Sequence, residues 1–166
     1  MNIVTRGFTL NEIKEMGLPK NENELWQFSS SLSWPIDFER YWKNFNHLFY
    51  SVFIDYNYLG HFEIKNINYK LDIATGAHIL LADNQRRKGF GKYLVNQLNK
   101  KAFEQGIFHR LNLTVACENK AAVKCYIESG YKIEGIIREL LVSPDGQRHD
   151  AYQMGLLRTE WKPLSS

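Results

Sequence analysis

Ala77-His78-Ile79-Leu80-Leu81-Ala82, then Asp83-Asn84-Gln85, then Arg86-Arg87-Lys88-Gly89-Phe90-Gly91 reads as a buried strand, a polar turn and a glycine-bearing entry into a helix. The first six residues are short and apolar, as in a strand covered on both faces. Further on, Phe90, Leu94, Leu98 and Ala102 recur at every fourth position, while Lys92, Asn96, Asn99 and Lys100 take the other side, which predicts an amphipathic helix. The first turn of such a helix offers amide N–H groups without internal partners, and its aligned peptide dipoles add partial positive charge. An anion is favoured at that end. Gly89 and Gly91 let a ligand approach the backbone closely, and Arg86, Arg87 and Lys88 raise the local positive potential.

Two nucleotide motifs do not fit this loop. A P-loop needs Gly-Lys followed by Ser or Thr, but Gly91-Lys92 is followed by Tyr93, and Arg86 stands where the earlier glycine belongs. A dinucleotide fingerprint needs Gly or Ala where Leu94 stands.

A chain of 166 residues suits one domain, residues 1–166, with an ordered core over about 8–161. The net charge of +3 carries no long run of one sign, so dedicated nucleic-acid binding is not indicated. Cys117 and Cys125 form no Cys-x-x-Cys pair and have no histidine at metal-ligand spacing, which predicts reduced, apolar thiols and no metal site. With no basic-then-apolar leader and no membrane-length apolar run, a cytoplasmic location is expected.

Alternation predicts a first strand over Phe8 to Ile13. Apolar spacing predicts two short helices, Glu22 to Ser31 and Phe38 to Leu48, separated by the Pro35 loop. Phe49 to Asp55 and Tyr58 to Asn68 predict a hairpin about Tyr56-Asn57, and a strand from about Leu71 to Ala82 leads into the glycine loop, with Gly76 as a candidate bulge. His109 to Ala116 predicts another strand. Glu118-Asn119 opens a second helix that places Ala122, Val123, Tyr126 and Ile127 on one face, and Gly130 ends it. Tyr131 to Val142 and His149 to Leu157 predict a closing hairpin about Pro144-Asp145-Gly146. The order predicts an α/β (α+β) domain with a mixed sheet.

Arg86-x-x-Gly89-x-Gly91, followed by Val115, Asn119, Ala122, Tyr126 and Gly130-Tyr131, resembles the acetyl-CoA-binding and downstream motifs of the GNAT N-acetyltransferases. Gly60-His61-Phe62-Glu63, His109-Arg110-Leu111, Glu134-Gly135 and the ending Met154-Gly155-Leu156-Leu157 with Glu160-Trp161 resemble the RimJ/RimL-type branch of that family, over about Leu59 to Trp161.

The resemblance implies a single-domain fold with a mostly antiparallel central sheet, splayed strands and flanking helices. It implies acetyl-CoA as co-substrate, with the backbone of Ile79, Leu80 and Leu81 pairing with the pantetheine arm, a mode that free strand edges permit. Arg86, Arg87, Lys88, Gly89, Phe90, Gly91 and Lys92 would surround the pyrophosphate. Asn119 would bond the pantetheine region, a role compatible with capping its helix. Tyr126 would be the general acid, because a phenol keeps its proton at neutral pH and the departing thiolate needs one. The amide of Leu81 would stabilise the oxyanion. A homodimer is also implied.

The general base is left open. Several family members that acetylate protein termini carry Glu where this chain has Thr114, which cannot accept an ammonium proton. Glu63 or His78 is the expected base, with His61 and Glu118 as weaker candidates.

The expected activity is transfer of acetyl from acetyl-CoA to a primary amine by direct attack, the acceptor being a small molecule or a protein N-terminus. The alternative is a non-catalytic acyl-CoA-binding or sensor module. The N-terminal helices and the hairpin about Asp145 are the expected walls of the acceptor site, and Trp26, Trp34, Tyr41 and Trp42 are read as core more readily than as a cation cage.

Overall fold

A computed structural model describes residues 1–9, 12, 48–104 and 106–164. Its strands are β1 (Ile3–Gly7), β2 (Leu48–Ile54), β3 (Asn57–Asn68), β4 (Ile73–Leu81), β5 (Arg110–Ala116), β6 (Lys132–Val142) and β7 (Arg148–Leu157); its helices are α1 (Gly91–Phe103) and α2 (Lys120–Glu128). The strands form one sheet in the order β1-β2-β3-β4-β5-β7-β6. Every neighbouring pair is antiparallel except β4–β5, which runs parallel and is joined only at Ile73–Thr75 against Arg110–Asn112. Past Thr75 the two strands part. The expected splay is therefore present, and it leaves the β5-facing edge of Ile79, Leu80 and Leu81 without a strand partner.

Helix α1 covers one face of the sheet. Leu94, Val95, Leu98, Ala102 and Phe103 pack into a core with Val52, Phe62, Ile64, Leu111, Leu113, Met154 and Leu156, all buried. Each of these side chains larger than alanine contributes about 1.5–3 kcal/mol of burial free energy. Gly76 lies directly beneath this helix. A Cβ there would sit 2.7 Å from Cδ2 of Leu98, so the glycine serves close packing and is not the bulge expected of it. The bulge falls at His78–Ile79, where two residues of β4, between Ala77 and Leu80, lie opposite one of β3, Phe62, between Glu63 and His61, and His78 takes φ 44°.

Other expectations need correction. The first strand runs over Ile3–Gly7, earlier than Phe8 to Ile13, and Thr9 and Glu12 instead close a turn: the Thr9 amide donates to the Glu12 carboxylate and the Glu12 amide to the Thr9 carbonyl, both at 3.0 Å. Leu10, Asn11 and Ile13 lie outside the described residues, as do the expected helix Glu22 to Ser31 and the expected helix from Phe38 as far as residue 47; Leu48 begins β2. The hairpin turns at Asp55-Tyr56, both left-handed (φ 47° and 69°), one residue before the expected pair, since a primed turn matches the twist of its strands. Asn99, placed by periodicity on the polar side of α1, is buried and accepts a 2.8 Å hydrogen bond from the Tyr131 hydroxyl. Ile127, expected on the inner face of α2, is exposed. No helix of the described residues is long and apolar enough to cross a membrane.

Candidate active site

The polar turn after β4 folds as a short 3-10 segment, Asp83–Gln85, and the chain then enters the glycine loop. Arg87 (φ 60°) and Gly89 (φ 78°) are both left-handed, between right-handed or extended neighbours. This alternation turns successive N–H groups toward one concavity. Among the described residues, no backbone acceptor engages the amides of Arg87 through Lys92. Two devices for holding an anion thus coincide, a backbone nest and the N-terminus of α1.

The loop forms one end of a cavity of about 600 Å³ that runs along the free edge of β4 and beneath α2. That volume is within the range of small-molecule sites. Ile79, Leu80, Leu81, Arg86, Arg87, Gly89, Gly91, Lys92, Asn119 and Tyr126 line it. Lys88 and Phe90 do not. Phe90 turns inward as the residue before α1, with its ring 6.2 Å from that of Tyr93, and Lys88 is exposed. Arg86 also fastens the loop, donating from Nε to the Leu81 carbonyl at 3.3 Å.

The sequence reading missed Cys125 as a wall residue. A Cβ on Gly91 would lie 3.1 Å from its Sγ, so this glycine keeps the helix entry and α2 close together. Burial pushes the Cys125 thiol up, and likewise that of Cys117, so both are protonated thiols, as expected. Lys124 and Glu128 also reach the rim. The only signal for them was their spacing with Tyr126 on α2.

Asn119 caps α2, its Oδ1 accepting from the Ala122 amide at 3.2 Å, and still faces the cavity. Tyr126 is half-buried, its ring edge-on to Tyr131 at 5.9 Å. Its hydroxyl has no hydrogen-bond partner among the described residues. Burial, and secondarily the neighbouring Cys125, pushes its phenol well above the ordinary value. The phenol therefore keeps its proton at physiological pH.

The two candidate bases prove to be one unit. Glu63 on β3 is fully buried, and its Oε2 lies 2.6 Å from Nδ1 of His78 on β4. The bulge brings this about by rotating His78 out of the strict alternation of β4. The Phe49 ring stacks on the imidazole at 6.2 Å and 13°. The pair stands next to the cavity wall in sequence, His78 preceding Ile79, but neither residue lines the cavity itself. His61 is buried on the same side of β3 and meets the Tyr58 hydroxyl at 2.9 Å; burial first, and His78 second, pushes its imidazole down to about 3, so it is neutral. Glu118 is exposed and lies 3.1 Å from His149. Thr114 spends its hydroxyl on Gln153, and Asp145 accepts hydrogen bonds within its own turn.

The Acetyltransferase (GNAT) family matches residues 18–131. Spermidine N(1)-acetyltransferase of Vibrio cholerae is 30% identical over 106 residues, a match that spans 63% of this chain and 60% of the relative. Among solved structures, a spermidine N-acetyltransferase from Vibrio cholerae in complex with CoA and spermine superposes with a TM-score of 0.82 at 24% identity, covering 95% of this chain and 96% of that one. An engineered chimera of the Vibrio cholerae enzyme reaches a TM-score of 0.77 at 25% identity, covering 95% and 96%. The family expectation holds; these relatives are spermidine N-acetyltransferases and do not specifically support the RimJ/RimL-type branch.

Proposed function

The chain belongs to the GNAT acetyltransferase family, and from that premise we propose that it transfers an acetyl group from acetyl-CoA to a primary amine of a small polycation of the spermidine class. The observation that carries the reading is the cavity itself: free amides of Arg87 through Lys92 at one end, the unpaired edge of β4 along one side and the Tyr126 phenol in the wall. The amides fit a pyrophosphate and the strand edge fits a pantetheine amide. The names of the relatives support the polyamine class over a protein N-terminus, and Thr114, in place of a carboxylate, agrees with that.

The Glu63–His78 pair takes a proton from the acceptor ammonium, whose pKa of about 10 leaves little free base at neutral pH. The amine nitrogen then bonds to the acetyl carbon while the Leu81 amide holds the developing oxyanion. As the carbon–sulfur bond breaks, Tyr126 gives its proton to the thiolate. The nitrogen gives up its second proton as the amide forms, and that proton restores the Tyr126 phenol through solvent; amide and free CoA thiol leave, and the proton held at His78 is released to solvent.

Thiol release from acetyl-CoA, measured with spermidine, spermine, butylamine, an aminoglycoside and a peptide with a free N-terminus, tests this reading. The polyamines should show a kcat/KM at least about tenfold above the others, consistent with recognition of a second positive charge. Equal rates with butylamine remove the polycation class, and no thiol release with any amine, together with intact CoA binding, leaves a cofactor-binding module.

A further inference from the structure

Helix α2 carries Tyr126 in its last turn and is lightly held: of its residues only Val123 is buried, with Ala122, Cys125 and Tyr126 partly so. A helix end leaves its last carbonyls without internal partners and is the first part to fray. Here the chain reverses through Gly130 (φ 96°), so that the Gly130 amide donates to the Ile127 carbonyl and the Tyr131 amide to the Tyr126 carbonyl, both at 3.0 Å. This is the paired bonding of a Schellman close, which commonly brings an apolar contact between the residue after the glycine and the one whose carbonyl it caps. The Tyr126–Tyr131 ring pair, edge-on with centroids 5.9 Å apart, is that contact. Tyr131 therefore meets Tyr126 twice, at the backbone and at the ring.

A helix close of this kind does not require a hydroxyl. Tyr131 is buried, and its hydroxyl donates to Oδ1 of Asn99, also buried, at 2.8 Å. A phenylalanine would fill the same space, and a leucine would suit the inward side of α1. Two polar groups set in an apolar core, each satisfied by the other, fix one geometry where apolar contacts alone tolerate several. Asn99 lies on α1, whose Gly91, Lys92, Leu94 and Val95 line the cavity. The hydrogen bond thus ties the Tyr126 phenol to the helix that begins at the glycine loop. Proton transfer needs its heavy atoms about 2.6–3.2 Å apart, and a misplacement of about 1 Å can cost roughly 100-fold in rate.

We propose that Tyr131 is a positioning residue: anchored to Asn99 through its hydroxyl, it holds the Tyr126 phenol where the departing thiolate takes its proton. The proposal rests on the reading of Tyr126 as the proton donor.

Steady-state kinetics with acetyl-CoA and the fastest of the amines named above, together with urea unfolding, tests it. Tyr131→Phe should lower kcat roughly tenfold and leave KM for acetyl-CoA within about twofold. That variant also strands the Asn99 carbonyl, so its stability falls. Adding Asn99→Leu removes both polar groups, and the unfolding midpoint should return close to the wild-type value while kcat stays low. In a Tyr126→Phe background, Tyr131→Phe should change kcat by less than about twofold, since the tether acts only through the phenol. Recovery of kcat together with stability, or a further loss of about tenfold in the Tyr126→Phe background, overturns the proposal. Turnover by Tyr126→Phe equal to the wild type removes the proton-donor reading and this proposal with it. A slow Tyr126→Phe beside an Asn99→Leu, Tyr131→Phe variant as fast as the wild type removes this proposal alone.

Discussion

The imidazole of His78 and the carboxylate of Glu63 meet at 2.6 Å across β4 and β3, although strict alternation of β4 with a regular ladder would not have brought them together. The β-bulge makes the difference, and it holds His78 at φ 44°, a conformation that costs a non-glycine residue about 1 kcal/mol or more. Strain of this kind persists where the surroundings over-determine it, and here a stacked Phe49 and a fully buried carboxylate do so.

If the pair acts as one base, its members are not additive. Glu63→Gln and His78→Gln should each lower kcat/KM by roughly 100-fold, and the double variant should be no more than about threefold worse than either. Steady-state kinetics with spermidine across pH measures this; losses that multiply show two independent roles.

Tyr126→Phe should lower kcat by about 100- to 10,000-fold and leave the dissociation constant for CoA, read by calorimetry, within about twofold. The hydroxyl has no protein partner among the described residues, so its removal leaves no buried group unsatisfied and the melting temperature should hold.

His61 gives the fold an acid limb. Its imidazole is held near 3 by burial in the native state, against an ordinary 6.5 when unfolded, so the unfolded chain binds the extra proton between those values. The stabilisation is present above pH 6.5 and is lost as pH falls toward 3, amounting to roughly 4–5 kcal/mol in all. Urea unfolding at pH 7, 5 and 4 should show a shallower loss for His61→Gln than for the wild type; parallel curves contradict the assignment.

At the alkaline end the sign reverses. Burial raises the phenols of Tyr126 and Tyr131, so above about pH 10 the unfolded chain loses protons that the folded chain keeps, and stability should fall with further increase in pH. The Tyr131→Phe variant should lose part of that slope in the same unfolding assay, at the expense of leaving Asn99 without its donor.

Gly60→Ala should be among the most damaging small changes in the sheet. Its Cβ would stand against the carbonyl oxygen of Leu80 and 3.0 Å from the Leu81 Cα, backbone that cannot swing aside. A loss of about 2–4 kcal/mol in urea unfolding is expected, together with weaker CoA binding, because Leu80 and Leu81 form the cavity wall.

Local signals in the chain were sufficient for the glycine loop, the α1 stripe of Leu94, Leu98 and Ala102, the Asn119 cap and the closing hairpin. Each depends on residues a few positions apart, whose spacing, dipoles and capping chemistry act without reference to the rest of the molecule. The residues alone therefore determined a strand–loop–helix junction and, with Asn119 and Tyr126, the family. Only the tertiary structure decided what alternation could not express. It moved the bulge from Gly76 to His78, because Leu98 of α1 needs the space over Gly76. It drew Asn99 inward, because Tyr131 from beyond α2 brings a hydroxyl to it. It joined Glu63 to His78 and left the β6 isoleucines in water, because pairing partners on separate strands are set by register across the whole sheet, a property no single segment carries.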